Sequence, residues 1–353
     1  MTKRIAVLGV QVPFIRGGAE ILNDELVRQI NLRRERFDVQ ADLIQLPFKW
    51  YPESHVLEDM LAWKLVDITE ADGHTIDLVI GTKFPSYCAD HPNKALWLVH
   101  QHRAFYDLEG TVYDVPALTD LERAVRFSVR RADTLAVQGC KARYAIAETV
   151  SARLRRYNEV DADVLHPPPK LRDRIRGGDC GDYLLYVGRL ERLKRVEVLV
   201  DALAQDRRSK AVILGTGKDR DALMERAEKL GLGDRCVFPG YVSDDAYLDY
   251  LANCRAVYYG PYDEDYGFAT VEAFLAQKPV LTFADSGEPC VMVRSTGCGW
   301  VAERTDASSL AALTAKVGAM QDGAVRDIGR LGLQFATGIH WDAVFHRLVE
   351  SQL

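Results

Sequence analysis

Short apolar runs rich in β-branched residues alternate with stretches of helical periodicity along the whole chain. RIAVLGV (4–10), VQADLIQL (39–46), DLVIGT (77–82), ALWLVH (95–100) and TLAVQG (134–139) read as buried strands. AEILNDELVRQINL (19–32) and LEDMLAWKLVDI (57–68) read as helices between them. This rhythm predicts a parallel sheet with helices on both faces. It breaks at HPPPKLRDRIRGGDCGD (166–182), where prolines and a glycine-rich polar run read as a linker. It then restarts with YLLYVG (183–188), KAVILGTG (210–217), RCVFPG (235–240), RAVYYG (255–260), KPVLTFA (278–284) and GWVAE (299–303). The pattern predicts two α/β domains of similar size, 1–166 and 182–340, joined by a linker over 167–181, with a helix over 341–353.

Composition narrows the class. The 353 residues are 48% hydrophobic and 27% charged, as expected of a protein with packed cores. A net charge of -6 argues against nucleic acid as the principal partner. The seven cysteines (Cys88, Cys140, Cys180, Cys236, Cys254, Cys290 and Cys298) contain no Cys-x-x-Cys pair and read as reduced thiols. The first apolar run is broken by Gln11 and Pro13, so it reads as a strand and not a signal peptide. No window approaches the ~18 apolar residues of a membrane span. These features predict a cytoplasmic protein.

Ligands of doubly wound sheets bind outside the carboxyl ends of the strands, and four such ends carry candidate chemistry. In VGRLERLK (187–194), Arg189 and Lys194 follow a strand, suited to a diphosphate or simply solvated. LGTGKD (214–219) reads as a tight turn, or as a glycine turn that lets backbone approach a ligand, with the turn favoured. DEDYGFATVEA (263–273) sets Glu264 before Gly267 and Phe268, where a helix opens, and Glu272 inside that helix. Acids there also favour a helix N-terminus, but that accounts for neither Glu272 nor the Tyr-Gly-Phe. In the first half, GGAE (17–20) opens a helix after the first strand, and WLVHQHR (97–103) places His100 and His102 at another strand end.

Taken in order, these pieces resemble the retaining, nucleotide-sugar-dependent glycosyltransferases of the GT-B fold, family 4 (glycosyl transferases group 1). Glu264 and Glu272 with Gly267 between them match that family's motif, as do Arg189 with Lys194 and the GGAE loop. PVLTFADSG (279–287) and GCGWVAERTD (297–306) sit where the family has further loop segments. The resemblance implies two Rossmann-like doubly wound domains facing a central cleft, acceptor side first and donor side second, with the last helix crossing back to the first domain. It implies that Arg189 and Lys194 bind the donor diphosphate, Glu272 the ribose, and Glu264 the transferred sugar. Gly267 and Phe268 would touch sugar and phosphate through backbone, Val242 the base, His100 the donor sugar, and Gly17 or Gly18 phosphate and acceptor. Whether His100 or His102 holds the histidine role is open, and the strand end favours His100. Asp265, Glu288 and Gln277 stand where the family commonly has glycine, which leaves the sugar undetermined.

The function so implied is metal-independent retaining transfer of a hexosyl group from a nucleoside-diphosphate sugar. The acceptor would be a cell-envelope glycan, a lipid-linked molecule or a small molecule, and no cofactor is required. DAD (161–163) and DED (263–265) imitate a metal motif of another fold and read as accidental. RQINLRRERF (28–37), ERAVRFSVRR (122–131) and SARLRRY (151–157) read as solvated helix faces or as a peripheral contact at the inner face of a membrane. LPFKWYPESHVLEDMLAWK (46–64) could line an acceptor pocket or simply pack. The alternatives are a catalytically silent nucleotide-binding protein of the same fold, disfavoured by the intact charged residues, and a sugar phosphorylase.

Overall fold

The computed structural model describes residues 2–14, 17–114 and 118–353. Fourteen strands are present among them: β1 (Lys3–Gln11), β2 (Val39–Pro47), β3 (Glu70–Ala71), β4 (His74–Thr75), β5 (Leu78–Lys83), β6 (Lys94–His100), β7 (Ala142–Ala145), β8 (Asp163–Val164), β9 (Tyr183–Val187), β10 (Lys210–Leu214), β11 (Cys236–Gly240), β12 (Ala256–Tyr258), β13 (Val280–Phe283) and β14 (Gly299–Ala302). The chain divides into two compact units, one of residues 1–170 with His340–Leu353, the other Leu171–Ile339.

The first unit holds a six-stranded sheet in the order β2-β1-β5-β6-β7-β8, with every neighbouring pair parallel. Its central strands are buried on both faces, with Leu8, Ile80 and Trp97 inaccessible to solvent, which explains why they read as continuous apolar runs. The last stretch of the chain packs on this unit. Phe345 sits 4.7 Å from Phe37, Trp341 lies edge-on to Trp97, and Arg33 pairs with Asp342.

One expected strand is absent. Residues 134–139 form the end of a helix, Asp120–Gln138, and not a strand. Thr119 caps that helix with Glu122, and Val125, Val129, Asp133 and Val137 recur on its buried side every four residues. This helical period outweighs the short apolar run of the last turn. The strands that follow, β7 and β8, are short and carry polar residues.

The second unit holds a sheet in the order β11-β10-β9-β12-β13-β14, again all parallel. Renumbered within the unit this is 3-2-1-4-5-6, the doubly wound order, whose direction reverses between β9 and β12. In the first sheet the reversal lies between β1 and β5. The stretch 167–181, expected to be a linker, is not free over its length. Leu171 and Ile175 are buried in the second unit, and the Gly181 N–H donates to the Asn253 carbonyl.

Candidate functional site

The two strands at the reversal in the second sheet, β9 and β12, launch the two loops that carry the charged candidates. After β9 the chain runs through Gly188 and Arg189 to a short 3-10 turn, Arg192–Lys194. This loop is held by the LGTGKD turn beside it. The Leu190 N–H donates to the Thr216 carbonyl at 2.9 Å, and the Asp219 N–H donates to Leu190 at 3.1 Å. LGTGKD thus braces the β9 loop. After β12 the chain passes Gly260 and reaches Glu264, which lies alongside Gly287 in a single parallel bridge.

Lys194 and Glu264 meet directly. The ammonium donates to both carboxylate oxygens, at 2.8 and 2.6 Å, and to the Tyr259 hydroxyl at 3.3 Å. Tyr259 in turn donates to Glu264 Oε1 at 3.2 Å. Both charged side chains are largely buried, so their attraction is screened less than a surface pair's. Arg189 stays more open, at 52% exposure, and its ion-pair partner among the described residues is Glu191 at 3.1 Å.

Two glycines fix the glutamate loop. Gly267 has φ +79°, and a Cβ there would stand 2.8 Å from Pro289 and 2.9 Å from Tyr259. Gly287 has φ +67°, and its Cβ would stand 2.5 Å from the Glu264 carbonyl oxygen. Both are positive-φ positions that disfavour any side chain. Gly267 caps the helix Phe268–Leu275, where Phe268 packs edge-on to Tyr266 at 4.9 Å. Glu288 joins this loop through its backbone. It is buried in the first turn of the helix Glu288–Thr296, and its N–H donates to the Glu264 carbonyl at 3.0 Å.

Glu272 lies one turn into the helix Phe268–Leu275, in a different environment from Glu264. Its Oε2 accepts the Tyr247 hydroxyl at 2.6 Å. Burial raises its pKa above the usual glutamate value. The Tyr247 hydrogen bond opposes that rise, and the nearby charge of Asp244 adds to it. Tyr247 belongs to the helix Asp244–Asn253, which Ser243 caps immediately after half-buried Val242. Sequence reasoning missed Tyr247 and Tyr259, since nothing local marks either tyrosine.

It also missed Arg195, next to Lys194. This buried guanidinium grips both oxygens of Asp285 at 2.7 and 2.8 Å and donates to the Gly260 carbonyl at 2.8 Å. Burial alone would raise the Asp285 pKa, but the Arg195 hydrogen bonds and charge outweigh it and hold the carboxyl below its usual range. Arg195 thus ties the β9 loop to the β12 and β13 loops. Its charge is already matched, whereas Arg189 remains open to a ligand.

In the first unit the predicted residues collect at the carboxyl ends of β1, β5 and β6. Gly17 caps the helix Gly18–Asn31, and its N–H donates to Glu20 at 2.8 Å. Glu20 also pairs with Lys83 at 3.1 Å, and Lys83 stands in register with His100 on β6. Burial raises the Glu20 carboxyl, but the Lys83 charge and the Gly17 N–H outweigh that and leave it below normal. His100 Nδ1 lies 2.7 Å from the Gln101 carbonyl. A carbonyl only accepts, so Nδ1 carries hydrogen and Nε2 of the neutral ring is an acceptor.

The two histidines differ sharply. His102 is ringed by Phe48, Phe84 and Phe105, with the last 4.4 Å away. Burial, with the charges of His100 and Arg126, holds its pKa down to about 3, so it stays neutral. His102 packs within this aromatic cluster. Neighbouring Gln101 is pinned from below, its amide donating to Asp133 and Asn158, and buried Asp133 also accepts the Tyr87 and Tyr106 hydroxyls.

Neither Asp-x-Asp stretch builds a metal cage. Asp163 pairs with Arg347, and among the described residues no three His, Cys, Asp or Glu side chains gather as metal ligands.

Residues 172–326, nearly the whole second unit, match the family described as glycosyl transferases group 1. That stretch is similar to the family, and both loops of the Lys194–Glu264 pair, and Glu272 as well, lie inside it. The chain is 29% identical over 121 residues to the uncharacterized glycosyltransferase MJ1607 of Methanocaldococcus jannaschii, covering 33% of this chain and 31% of that one. It is also 29% identical over 143 residues to D-inositol 3-phosphate glycosyltransferase of Frankia alni, covering 36% and 35%. The chain thus spans about a third of the length of the curated relatives it matches. Over 99% of both chains it superposes on Alr3699/HepE of Anabaena, solved in complex with UDP and glucose, with a TM-score of 0.70 at 16% identity. At that identity the likeness is one of fold, the two Rossmann-like units of GT-B.

Proposed function

We propose that this protein is a glycosyltransferase that moves a hexosyl group from a nucleoside-diphosphate sugar to a hydroxyl acceptor with retention at the anomeric carbon. The observation that carries this reading is the arrangement at the β9/β12 reversal. There Arg189 and Lys194 follow one strand, and the Glu264 loop and a helix N-terminus follow the other. Two cations and first-turn amides at a strand-order reversal suit a diphosphate. A relative in fold that holds UDP at 16% identity agrees with it.

The proposed roles are those the family resemblance implies. Arg189 and Lys194 bind the diphosphate and stabilise the charge that grows on it as the bond to the sugar breaks. At least one Lys194 proton must turn from Glu264 or Tyr259 to do so, since its three hydrogen bonds use all three. Glu264, released in part, faces the positive charge developing on the sugar. Glu272, held by Tyr247, accepts from the ribose hydroxyls. Gly267 and Phe268 offer backbone to sugar and phosphate, and Val242 borders the base. The anomeric carbon–oxygen bond to the diphosphate breaks, the bond to the acceptor oxygen forms on the same face, and the acceptor proton passes to a diphosphate oxygen. These charges do the work that a metal would otherwise do.

A lipid-linked acceptor at a membrane surface is favoured by one feature. The helix Asp120–Gln138 exposes Leu121, Phe127 and Leu135, each more than 60% accessible, with Arg131 exposed among them. Absence of binding to vesicles rich in anionic lipid would remove this acceptor class. The activity itself is tested by incubating the protein with a panel of nucleotide sugars, following diphosphate release and reading product anomer by NMR. An inverted product would overturn retention, and no release with any donor would overturn transfer.

A further inference from the structure

The second unit carries a cavity at the opposite end of its sheet from the donor loops. Its walls come from the amino ends of β9 and β10, the end of the helix Val196–Gln205 and one side of the helix Ala307–Ala319. Its volume, about 610 Å³, lies within the range of small-molecule sites. Nothing in the proposed transfer uses it, because that chemistry sits at the carboxyl ends.

The charges in this cavity are uneven. Four cations line it, Arg207, Arg208, Lys210 and Arg255, against two acids, Asp182 and Asp206. Most of these are already matched. Lys210 pairs with Asp182 at 2.6 Å, and Arg255 is bonded to Asp322 at 2.9 Å and to the Val317 carbonyl. Asp206 is buried, accepting from Ser209 and, at 2.7 Å, from Thr314. Arg207 and Arg208 have no ion pair among the described residues. The helix end that points here would normally add negative potential. Arg235 cancels it by donating to the Leu203, Asp206 and Ser209 carbonyls at 2.9, 3.0 and 3.2 Å. Arg207 and Arg208, consecutive in the chain, line the same cavity as the small residues Ala311, Ala315 and Gly318.

We propose that this cavity is a second ligand site, separate from the donor site, that takes a small organic phosphate. Arg207 and Arg208 grip the phosphate, because the planar guanidinium fork matches its oxygens two at a time. The alanine and glycine wall receives the organic body, so an ester with an apolar body binds better than the bare ion. Sugar phosphates and other phosphate esters share the anchoring chemistry, and a sugar body contacts the wall less well than an aryl one.

The test is calorimetric titration of phenyl phosphate, glucose 6-phosphate and inorganic phosphate into the full chain with UDP present at saturation. UDP blocks the donor site in that mixture. The expected result is phenyl phosphate binding about tenfold tighter than inorganic phosphate, with glucose 6-phosphate between them. Arg207→Ala/Arg208→Ala should weaken phenyl phosphate at least about tenfold and leave UDP affinity unchanged. Ala315→Leu should weaken phenyl phosphate by filling the wall while sparing inorganic phosphate. All three positions are exposed, so these variants keep their fold, which a melting curve checks. Absence of phenyl phosphate binding, or equal binding in wild type and both variants, overturns the proposal. Loss of phenyl phosphate binding on adding UDP also overturns it, by assigning the phosphate to the donor loops.

Discussion

Lys194 and Glu264 lie seventy positions apart in sequence and form a largely buried ion pair, with the ammonium on both carboxylate oxygens. The two residues proposed to serve opposite ends of the donor, its diphosphate and its sugar, therefore hold each other before the donor arrives. Removing either alone leaves the other charge unpaired. Lys194→Ala and Glu264→Ala should each cost ~1–3 kcal/mol of stability, and the double variant should cost less than their sum. Urea melts of the four proteins check this. Strict additivity would show that the pair is not coupled.

Catalysis separates the cations from the fold. Arg189→Ala should lower kcat/KM by ~10²–10³, the range for losing one preorganised donor. Its melting temperature should not change, because the side chain is half exposed and its ion-pair partner among the described residues is Glu191. Near wild-type kinetics would return Arg189 to an ordinary surface charge.

Glu272 predicts a trade between stability and binding. Burial raises its pKa, so the folded chain holds that proton more tightly than the unfolded chain does. Stability is then lost as pH rises from the ordinary glutamate value through the raised one, and the penalty is complete at neutral pH. Glu272→Gln still accepts the Tyr247 hydroxyl but carries no charge. It should melt higher than wild type at neutral pH, with the gain shrinking as pH falls into the usual glutamate range. It should also bind nucleoside diphosphate more weakly, by ~1.5–3 kcal/mol. A variant that melts lower at neutral pH and binds normally would contradict both halves.

Saturating EDTA should leave transfer unchanged, because the proposed mechanism gives the diphosphate charge to Arg189, Lys194 and the first-turn amides of Phe268–Leu275. Loss of activity restored by Mn²⁺ or Mg²⁺ would replace this account with a metal-dependent one.

The sheet-forming runs of the second unit were legible because each is a short, continuous apolar stretch ended by glycine or a turn. In the first unit Ala142–Ala145 and Asp163–Val164 were not, since Arg143, Tyr144 and Asp163 hide them among polar residues. The end of Asp120–Gln138 resembles a strand because Thr134–Val137 is a short apolar run closed by Gly139, while its four-residue burial period shows only over the whole helix. At the site, spacing marked Glu264 and Glu272, and strand ends marked Arg189, Lys194 and His100. The partners that set their environments, Tyr259, Tyr247 and Lys83, arrive from distant elements through tertiary packing. No local pattern encodes them.

The central claim is that the β9 and β12 loops of the second unit hold a nucleoside diphosphate. It is tested most directly by calorimetric titration of UDP, GDP and ADP into wild type, Arg189→Ala and Glu272→Ala. The account predicts that at least one diphosphate binds the wild type and that each substitution weakens it by about tenfold or more. Absence of binding by all three, or equal affinity in the three proteins, would contradict it.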